Sequence, residues 1–169
     1  MSLAPVQDPA LAAGEPGSRQ YLTFTLEERT YAVPLPQVAE ICVYRELNRM
    51  PHMPKGVEGL LDLRGSVIPV VNLRVRLGLP ALAASASNNI LVLSLSGNLI
   101  GVLVDHVDSV ITATPEQHAP AGPILAGKHG AWVSGFLLQE ERVTVLLDTA
   151  LIVAFGADRS TRVSAQDLD

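Results

Sequence analysis

The sequence predicts an all-β fold with short helices, built from two small β-barrels that share an aliphatic core. The first observation behind this prediction is a duplication: residues 21–41 align with residues 90–110 at one constant offset. Residues 57–73 align with residues 133–149 at a slightly larger offset, so the second copy carries a short insertion. The unit is too long for a solenoid repeat and suits a small closed β-module. The second observation is a series of short alternating segments, separated by turn residues, in each copy.

The matched positions are mostly apolar or turn residues, as two copies of one fold require. The first alignment pairs Tyr21/Ile90, Leu26/Leu95, Val33/Val102, Val38/Val107 and Ile41/Val110, and the second pairs Val57/Val133, Gly59/Gly135, Leu61/Leu137, Val67/Val143, Val71/Leu147 and Asn72/Asp148. Closing each copy into a barrel avoids exposed sheet edges. The seam between the copies is the expected place for a ligand or partner.

The composition indicates a soluble, cytoplasmic protein. The chain has 169 residues and a net charge of −5, without a basic patch, which argues against nucleic acid or a membrane surface as a partner. No signal peptide is recognisable and no apolar run is long enough to insert into a membrane. The lone cysteine, Cys42, excludes an internal disulfide and is expected to pack as an apolar side chain.

The first copy begins with a strand pair after a lead-in. Residues 1–18 are rich in Ala, Pro and Gly and are expected to be disordered. Tyr21–Leu26 and Thr30–Val33 read as strands around a polar turn. Pro36 then suits the first position of a short helix with Val38 and Ile41 on one side.

A second strand pair and a capped helix complete the first copy. Val57–Leu63 and Ser66–Val71 are joined tightly around Arg64 and Gly65. Asn72 is expected to cap a short helix over Leu73–Leu77, which Gly78 and Pro80 end.

The second copy repeats this order after a small-residue linker. Its expected elements are strands Ile90–Leu95, Leu99–Val104, Trp132–Leu138 and Arg142–Leu147, a turn capped by Asp105 before Val107 and Val110, and a closing helix 149–155 capped by Asp148. The predicted domain spans residues 19–156, with a first barrel over about 20–79, a second over about 90–147, and a polar tail over 157–169.

No catalytic constellation is visible in the sequence. The histidines fall in or near connectors without metal-ligand spacing: His52, His106, His118 and His129. Asp105 and Asp108 are better explained by capping and solvation than as paired catalytic carboxylates. We therefore expect no enzyme activity, no cofactor and no metal.

Two charged residues call for a functional explanation. Arg64 stands alone between two apolar runs, and it either faces water at a hairpin tip or binds a partner's carboxylate or carbonyl. The repeat places Glu140 at the same position, in a plainly polar turn. Glu40 aligns with Ser109, so the fold does not require a carboxylate there; the simpler alternative is an exposed helix face.

Three segments together carry a family resemblance. YAVPLPQVAEI, GVEGLLDLRGSVIPVVNLRVRLGL and GVLVDHVDSV follow one another in an order and spacing that resemble the CheW family of chemotaxis coupling proteins, from about Gln20 to Gly156. The core motif runs from Gly59 to Arg74. Asp62 departs from the family pattern, in which asparagine usually precedes Leu-Arg-Gly. The resemblance implies two five-stranded SH3-like barrels.

The resemblance also implies an adaptor that binds a CheA-type histidine kinase, through the CheW-like regulatory domain of that kinase, and the cytoplasmic tip of chemoreceptors. Such a protein would be recruited to receptor arrays at the inner face of the membrane. The receptor-binding residues implied by position are Val38, Glu40, Gly59, Arg64, Val107 and Val110. Two alternatives remain: an adaptor of a non-flagellar receptor–kinase pathway, in surface motility or second-messenger control, and a small-ligand module that uses the groove between the barrels.

Overall fold

The computed structural model describes residues 16–81, 83–122 and 132–153. The strands in these ranges are β1 (Arg19–Leu26), β2 (Arg29–Pro34), β3 (Val38–Val43), β4 (Val57–Leu63), β5 (Ser66–Asn72), β6 (Asn89–Leu95), β7 (Asn98–Val104), β8 (His106–Ala113), β9 (His118–Pro120), β10 (Val133–Gln139) and β11 (Arg142–Leu147). The helices are α1 (Leu73–Arg76), α2 (Thr149–Ile152) and 3-10 turns at Leu35–Gln37 and Pro115–Gln117. Most of the predicted lead-in, the end of the predicted closing helix and the polar tail lie outside the described residues.

The strands form two SH3-like sheets, which confirms the predicted fold class. The six-stranded sheet has the order β8-β1-β2-β11-β10-β9, and the five-stranded sheet has the order β3-β6-β7-β5-β4. The predicted helix caps are also confirmed: the side chains of Asn72 and Asp148 accept hydrogen bonds from the backbone N–H groups of Val75 and Leu151.

Each sheet takes strands from both copies of the repeat. The first hairpin of each copy, β1–β2 or β6–β7, lies in the sheet that holds the later strands of the other copy. Each sheet joins the copies twice: once by an antiparallel pair, β1–β8 or β3–β6, and once by a parallel pair, with Tyr31 opposite Val145 or Val71 opposite Val102. The predicted barrels, about 20–79 and 90–147, therefore do not coincide with the two sheets. The physical reason is that alternation specifies which face of a strand is buried, but not which strand pairs with it.

The predicted helix that carries Val38 and Ile41 is wrong, because these residues lie in strand β3. A β-bulge between Val38 and Glu40 adds one residue to β3 opposite β6. Because of this extra residue, the side chains of Val38 and Ile41, three positions apart, lie on the same face of the strand. An apolar pair with this spacing is also what one face of a helix would show. The equivalent segment of the second copy is strand β8, which has a bulge at the matching place, so Asp105 does not cap a helical turn there.

A shared core, mainly aliphatic but with Phe24 and Tyr31 stacked in it, lies between the sheets. It contains Leu22 and Phe24 from β1, Leu91 and Leu93 from β6, and Leu147 from β11, all nearly inaccessible to solvent. Smaller apolar clusters fill each sheet separately. Burial of this apolar surface is the main favourable term in folding. The core forms only when each hairpin has joined the strands of the other copy, so the exchange of hairpins and the core depend on each other.

One buried ion pair links four parts of the chain. The Arg74 guanidinium donates from Nε and Nη2 to the Asp105 carboxylate at 2.8 and 2.7 Å, and from Nη1 to the carbonyl of Pro80 at 2.9 Å. Asp105 also accepts from the backbone N–H of Glu27 at 2.8 Å. The network thus ties α1, the linker, the β1–β2 turn and the residue just before β8. Hydrogen bonding from Arg74 holds the pKa of Asp105 below its ordinary value.

We predict that Asp105→Asn destabilises the protein by about 2–4 kcal/mol at pH 7, because it leaves a mostly buried guanidinium with the more exposed Glu27 carboxylate, 3.9 Å away, as its remaining counter-ion. The contribution of an acid with a lowered pKa is fully present above its unfolded value, near 3.8, and disappears as the pH falls through its folded value. Denaturant unfolding across this pH range should therefore show a difference from the natural protein that shrinks in acid.

The control for this prediction is Asp62→Asn, which removes an exposed carboxylate and should have little effect on stability at any pH. A difference between Asp105→Asn and the natural protein that stayed constant into strong acid would contradict the proposed linkage.

Candidate functional site

A groove of about 810 Å³ runs along the seam between the two sheets. Its walls are β3, one of the two outer strands of the five-stranded sheet, and β8, one of the two outer strands of the six-stranded sheet. The lining residues are Leu22, Glu40, Ile41, Cys42, Val43, Asn89, Val107, Asp108, Ser109 and Val110. The groove lies between the two sheets, and β3 and β8, its walls, come from the first and the second copy of the repeat.

The two β-bulges make the bottom of the groove apolar. Because of the bulge in β8, Val107 and Val110 share the strand face opposite Phe24 and Leu22. Both valines and Ile41 pack against the shared core while staying partly exposed. The bottom of the groove is thus a place where the shared core reaches solvent.

Arg64 and Glu40 form an ion pair beside the groove. Arg64 and Gly65 are the two turn residues of the β4–β5 hairpin, with φ of 51° and 87°, a combination typical of a type I′ turn. This turn holds Arg64 at the tip, where its side chain is 72% exposed. Its Nη1 donates to Oε2 of Glu40 at 3.2 Å and its Nη2 donates to Oε1, and this pairing raises the pKa of Arg64. Arg64 thus lies at the exposed hairpin tip, and its side chain is paired with Glu40.

Three of the six expected receptor-binding residues line the groove: Glu40, Val107 and Val110. Arg64 joins them through Glu40. Glu40 itself lies on a strand and not on an exposed helix face. Val38 is absent from the lining and packs against the shared core.

Gly59 also lies away from the groove lining, and the structure gives it a packing role. A Cβ atom at Gly59 would lie 2.9 Å from the carbonyl oxygen of Asn48 and 2.9 Å from Cβ of Leu47. The matching Gly135 is equally restricted, since its Cβ would lie 2.6 Å from the carbonyl oxygen of Ala119. In both copies, glycine lets the connector backbone approach the strand.

Asp108 is a groove residue that the sequence did not identify. It is the extra residue of the β8 bulge, and its Oδ2 accepts a hydrogen bond from Oγ1 of Thr25 at 2.8 Å. Nε2 of His106 lies 3.6 Å from Oδ1 of Asp108. The repeat offered one signal, because the matching residue of the first copy is Ala39 and the fold therefore needs no carboxylate there.

Cys42 is the one thiol of the chain and lines the groove wall. Partial burial raises the pKa of the thiol, and the neighbouring Glu40 carboxylate raises it further. A raised pKa keeps the thiol protonated, and the thiolate is the nucleophilic form. Cys42 therefore contributes apolar surface to the groove, as the sequence predicted.

Two kinds of feature are absent from the described part of the chain. Within residues 16–81, 83–122 and 132–153, no three His, Cys, Asp or Glu side chains come together as metal ligands. In the same ranges, no helix has the length and apolar character needed to cross a membrane.

Comparison with known proteins places the chain in a family. The family model of the CheW-like domain matches residues 20–155 of this chain. The chain belongs to the CheW-like domain family. This confirms the resemblance read from the three sequence segments.

Relatives of the CheW-like chain include several chemotaxis proteins. It is 29% identical over 136 residues to the chemotaxis protein CheW of Klebsiella aerogenes, covering 80% of this chain and 82% of that protein. It is also 29% identical over 132 residues to the chemotaxis protein CheW of Rhizobium meliloti, covering 78% and 85%.

A solved structure supports the CheW-like fold independently. The scaffolding protein TtCheW of Thermoanaerobacter tengcongensis superimposes with a TM-score of 0.75 at 23% sequence identity, over 83% of this chain and 95% of that one.

We predict that Gly59→Ala destabilises the CheW-like domain by about 1–3 kcal/mol, because the connector backbone at Asn48 must move to admit a methyl group. Gly97→Ala is the comparison, since no atom lies near that position and only its positive φ makes alanine unfavourable. We expect a loss of about 1 kcal/mol there. Thermal unfolding of both variants checks the difference. A loss of partner binding by Gly59→Ala without loss of stability would instead support the role that the resemblance implied.

Proposed function

We propose that this CheW-like protein is a non-enzymatic chemotaxis adaptor. In this proposal the groove between β3 and β8 binds the cytoplasmic tip of a chemoreceptor, and other surfaces bind a CheA-type histidine kinase. The protein would work in the cytoplasm, recruited to receptor arrays at the inner face of the membrane. The curated relatives are named chemotaxis proteins and the solved neighbour is named a scaffolding protein, which supports an adaptor role.

The observation that carries the proposal is an apolar groove with an exposed arginine at its edge. The valines of β8 and Ile41 of β3 offer the shared core to a partner. An amphipathic helix that lays its apolar ridge in a groove is the recognition mode that suits such a surface. The cytoplasmic tip of a chemoreceptor, as a coiled coil of helices, would present such ridges.

Arg64 can bind a partner while it stays paired with Glu40. The guanidinium has five N–H donors, and two of its nitrogens face Glu40. The remaining donors point to solvent, because the side chain is largely exposed. A carbonyl, amide or carboxylate of a receptor helix would complete its hydrogen bonding, and Glu40 would keep the fork in one orientation.

A pair of matched apolar patches suits the kinase contact. Val67 on β5 and Val143 on β11 occupy equivalent positions in the repeat and are 65% and 55% exposed. Leu138, directly opposite Val143 on β10, is also exposed. Because the CheW-like regulatory domain of a CheA-type kinase has the same fold, each patch could pair with an equivalent patch of the kinase.

The geometry does not favour the small-ligand alternative. A ligand pocket needs convergent polar groups that are free to bind. Asn89 accepts from the backbone N–H of Val107 at 2.8 Å, and Ser109 is within 3.2 Å of Oγ1 of Thr23. These two polar groups are therefore engaged within the protein, and the Asp108 carboxylate does not by itself make a convergent set of polar groups.

We predict that Arg64→Ala weakens binding to a chemoreceptor cytoplasmic-tip fragment about tenfold, as expected for an arginine at an interface. Folding should stay nearly intact, because the side chain is exposed. Isothermal titration calorimetry with the two-helix tip fragment measures the affinity, and thermal unfolding checks the fold.

Arg49→Ala is the matched control. Arg49 is also an exposed arginine, 3.0 Å from Glu58, but it lies outside the groove. Its loss should leave the affinity for the tip fragment unchanged. Equal affinities for the natural protein, Arg64→Ala and Arg49→Ala would show that the groove edge is not the receptor site. Co-purification of a kinase and receptors from the native cell would test the adaptor role as a whole.

A further inference from the structure

We infer that Asp108 makes the groove selective for a receptor helix that carries a lysine or arginine beside its apolar ridge. The inference rests on the proposed receptor-binding function and adds a specificity-determining residue to it. It follows from the position of Asp108, from what fixes its carboxylate and from the charges of the two groove walls.

The bulge places Asp108 where a partner can reach it. As the extra residue of β8, it lies between Val107 and Ser109, which pair with Phe24 and Thr23 of β1. Its side chain is 32% exposed and lines the groove beside the apolar bottom. A helix that packs on Val107 and Val110 would therefore pass next to this carboxylate.

The carboxylate is held in place by a neutral group. The hydroxyl of Thr25 donates to Oδ2 of Asp108 at 2.8 Å, which orients the group without cancelling its charge. Among the described residues, the basic side chain within 4.0 Å of this carboxylate is His106, at 3.6 Å, and a histidine is charged only when protonated. Asp108 thus brings a fixed negative charge that the protein itself does not permanently balance.

The opposite wall has a different character. There the negative charge of Glu40 is balanced by Arg64. The edge of the groove beside β3 offers the free N–H donors of Arg64. The edge beside β8 offers the negatively charged acceptor of Asp108. A helix that matches both edges needs an acceptor on one side of its apolar ridge and a cation on the other. Complementary charges at the edge of an interface act mainly on specificity and register, so the two edges would fix how the helix is rotated in the groove.

The test uses the full-length protein and the two-helix tip fragment of a chemoreceptor from the same cell. Affinity is measured at pH 8, where an ordinary histidine is neutral, across a series of salt concentrations. Asp108→Asn keeps an acceptor for Thr25 but removes the charge, Asp108→Glu keeps the charge, and Asp108→Lys reverses it. Glu116→Gln removes an equal charge at an exposed position outside the groove lining and serves as the control. Thermal unfolding confirms that each variant is folded.

We expect Asp108→Asn to weaken binding about two- to fivefold at low salt and to reduce the dependence of affinity on salt. Asp108→Lys should weaken it about tenfold or more, because two cations would then meet. Asp108→Glu and Glu116→Gln should stay close to the natural protein. Neutralising the matching lysine or arginine of the fragment should remove the effect of Asp108→Asn, which a double-mutant cycle detects.

Two results would overturn the inference, and they can be told apart. If Asp108→Asn and Asp108→Lys bind like the natural protein while Arg64→Ala binds weakly, the groove is the receptor site but Asp108 does not select its ligand. If the natural protein does not bind the tip fragment at all, the proposed function fails and this inference fails with it.

Discussion

The exchange of hairpins between the two copies is the constraint on which the rest of the structure depends. Neither copy completes a sheet alone: β2 needs β11 as a parallel neighbour, and β5 needs β7. The shared aliphatic core forms between the sheets that result. The groove exists because this arrangement leaves β3 and β8 as outer strands on either side of the seam, with the core accessible between them.

Much of the fold could be predicted from the sequence, because the information was local or repeated. The duplication, the strands and the caps at Asn72 and Asp148 all depend on short patterns. The pairing of strands between copies could not be predicted, since periodicity reports a buried face and says nothing of the neighbouring strand. The bulges were missed for a related reason. An extra residue in β3 or β8 produces the same three-residue apolar spacing as a turn of helix, and only the pairing register distinguishes them.

The candidate site also contains residues that could be recognised from the sequence and residues that could not. Arg64 was recognisable because a charge between apolar runs needs an explanation, and its position beside Glu40 depends on a hairpin that the sequence placed correctly. Gly59 looked functional, yet its match with Gly135 points to a role that both copies need for packing. Asp108 looked like a helix cap, because its place in the groove depends on a bulge that the sequence pattern did not show. Repeats thus help to separate residues that serve the fold from residues that serve one surface.

The pairing of β2 with β11 also has a consequence for how the chain acquires its structure during synthesis. Tyr31 lies opposite Val145, so nearly the whole domain must leave the ribosome before the first hairpin finds its parallel neighbour. Contacts this distant in sequence slow folding, and the unpaired edge of β2 stays available to other chains in the meantime. A nascent protein of this design therefore passes through a period in which a strand edge that is later paired is still open to aggregation.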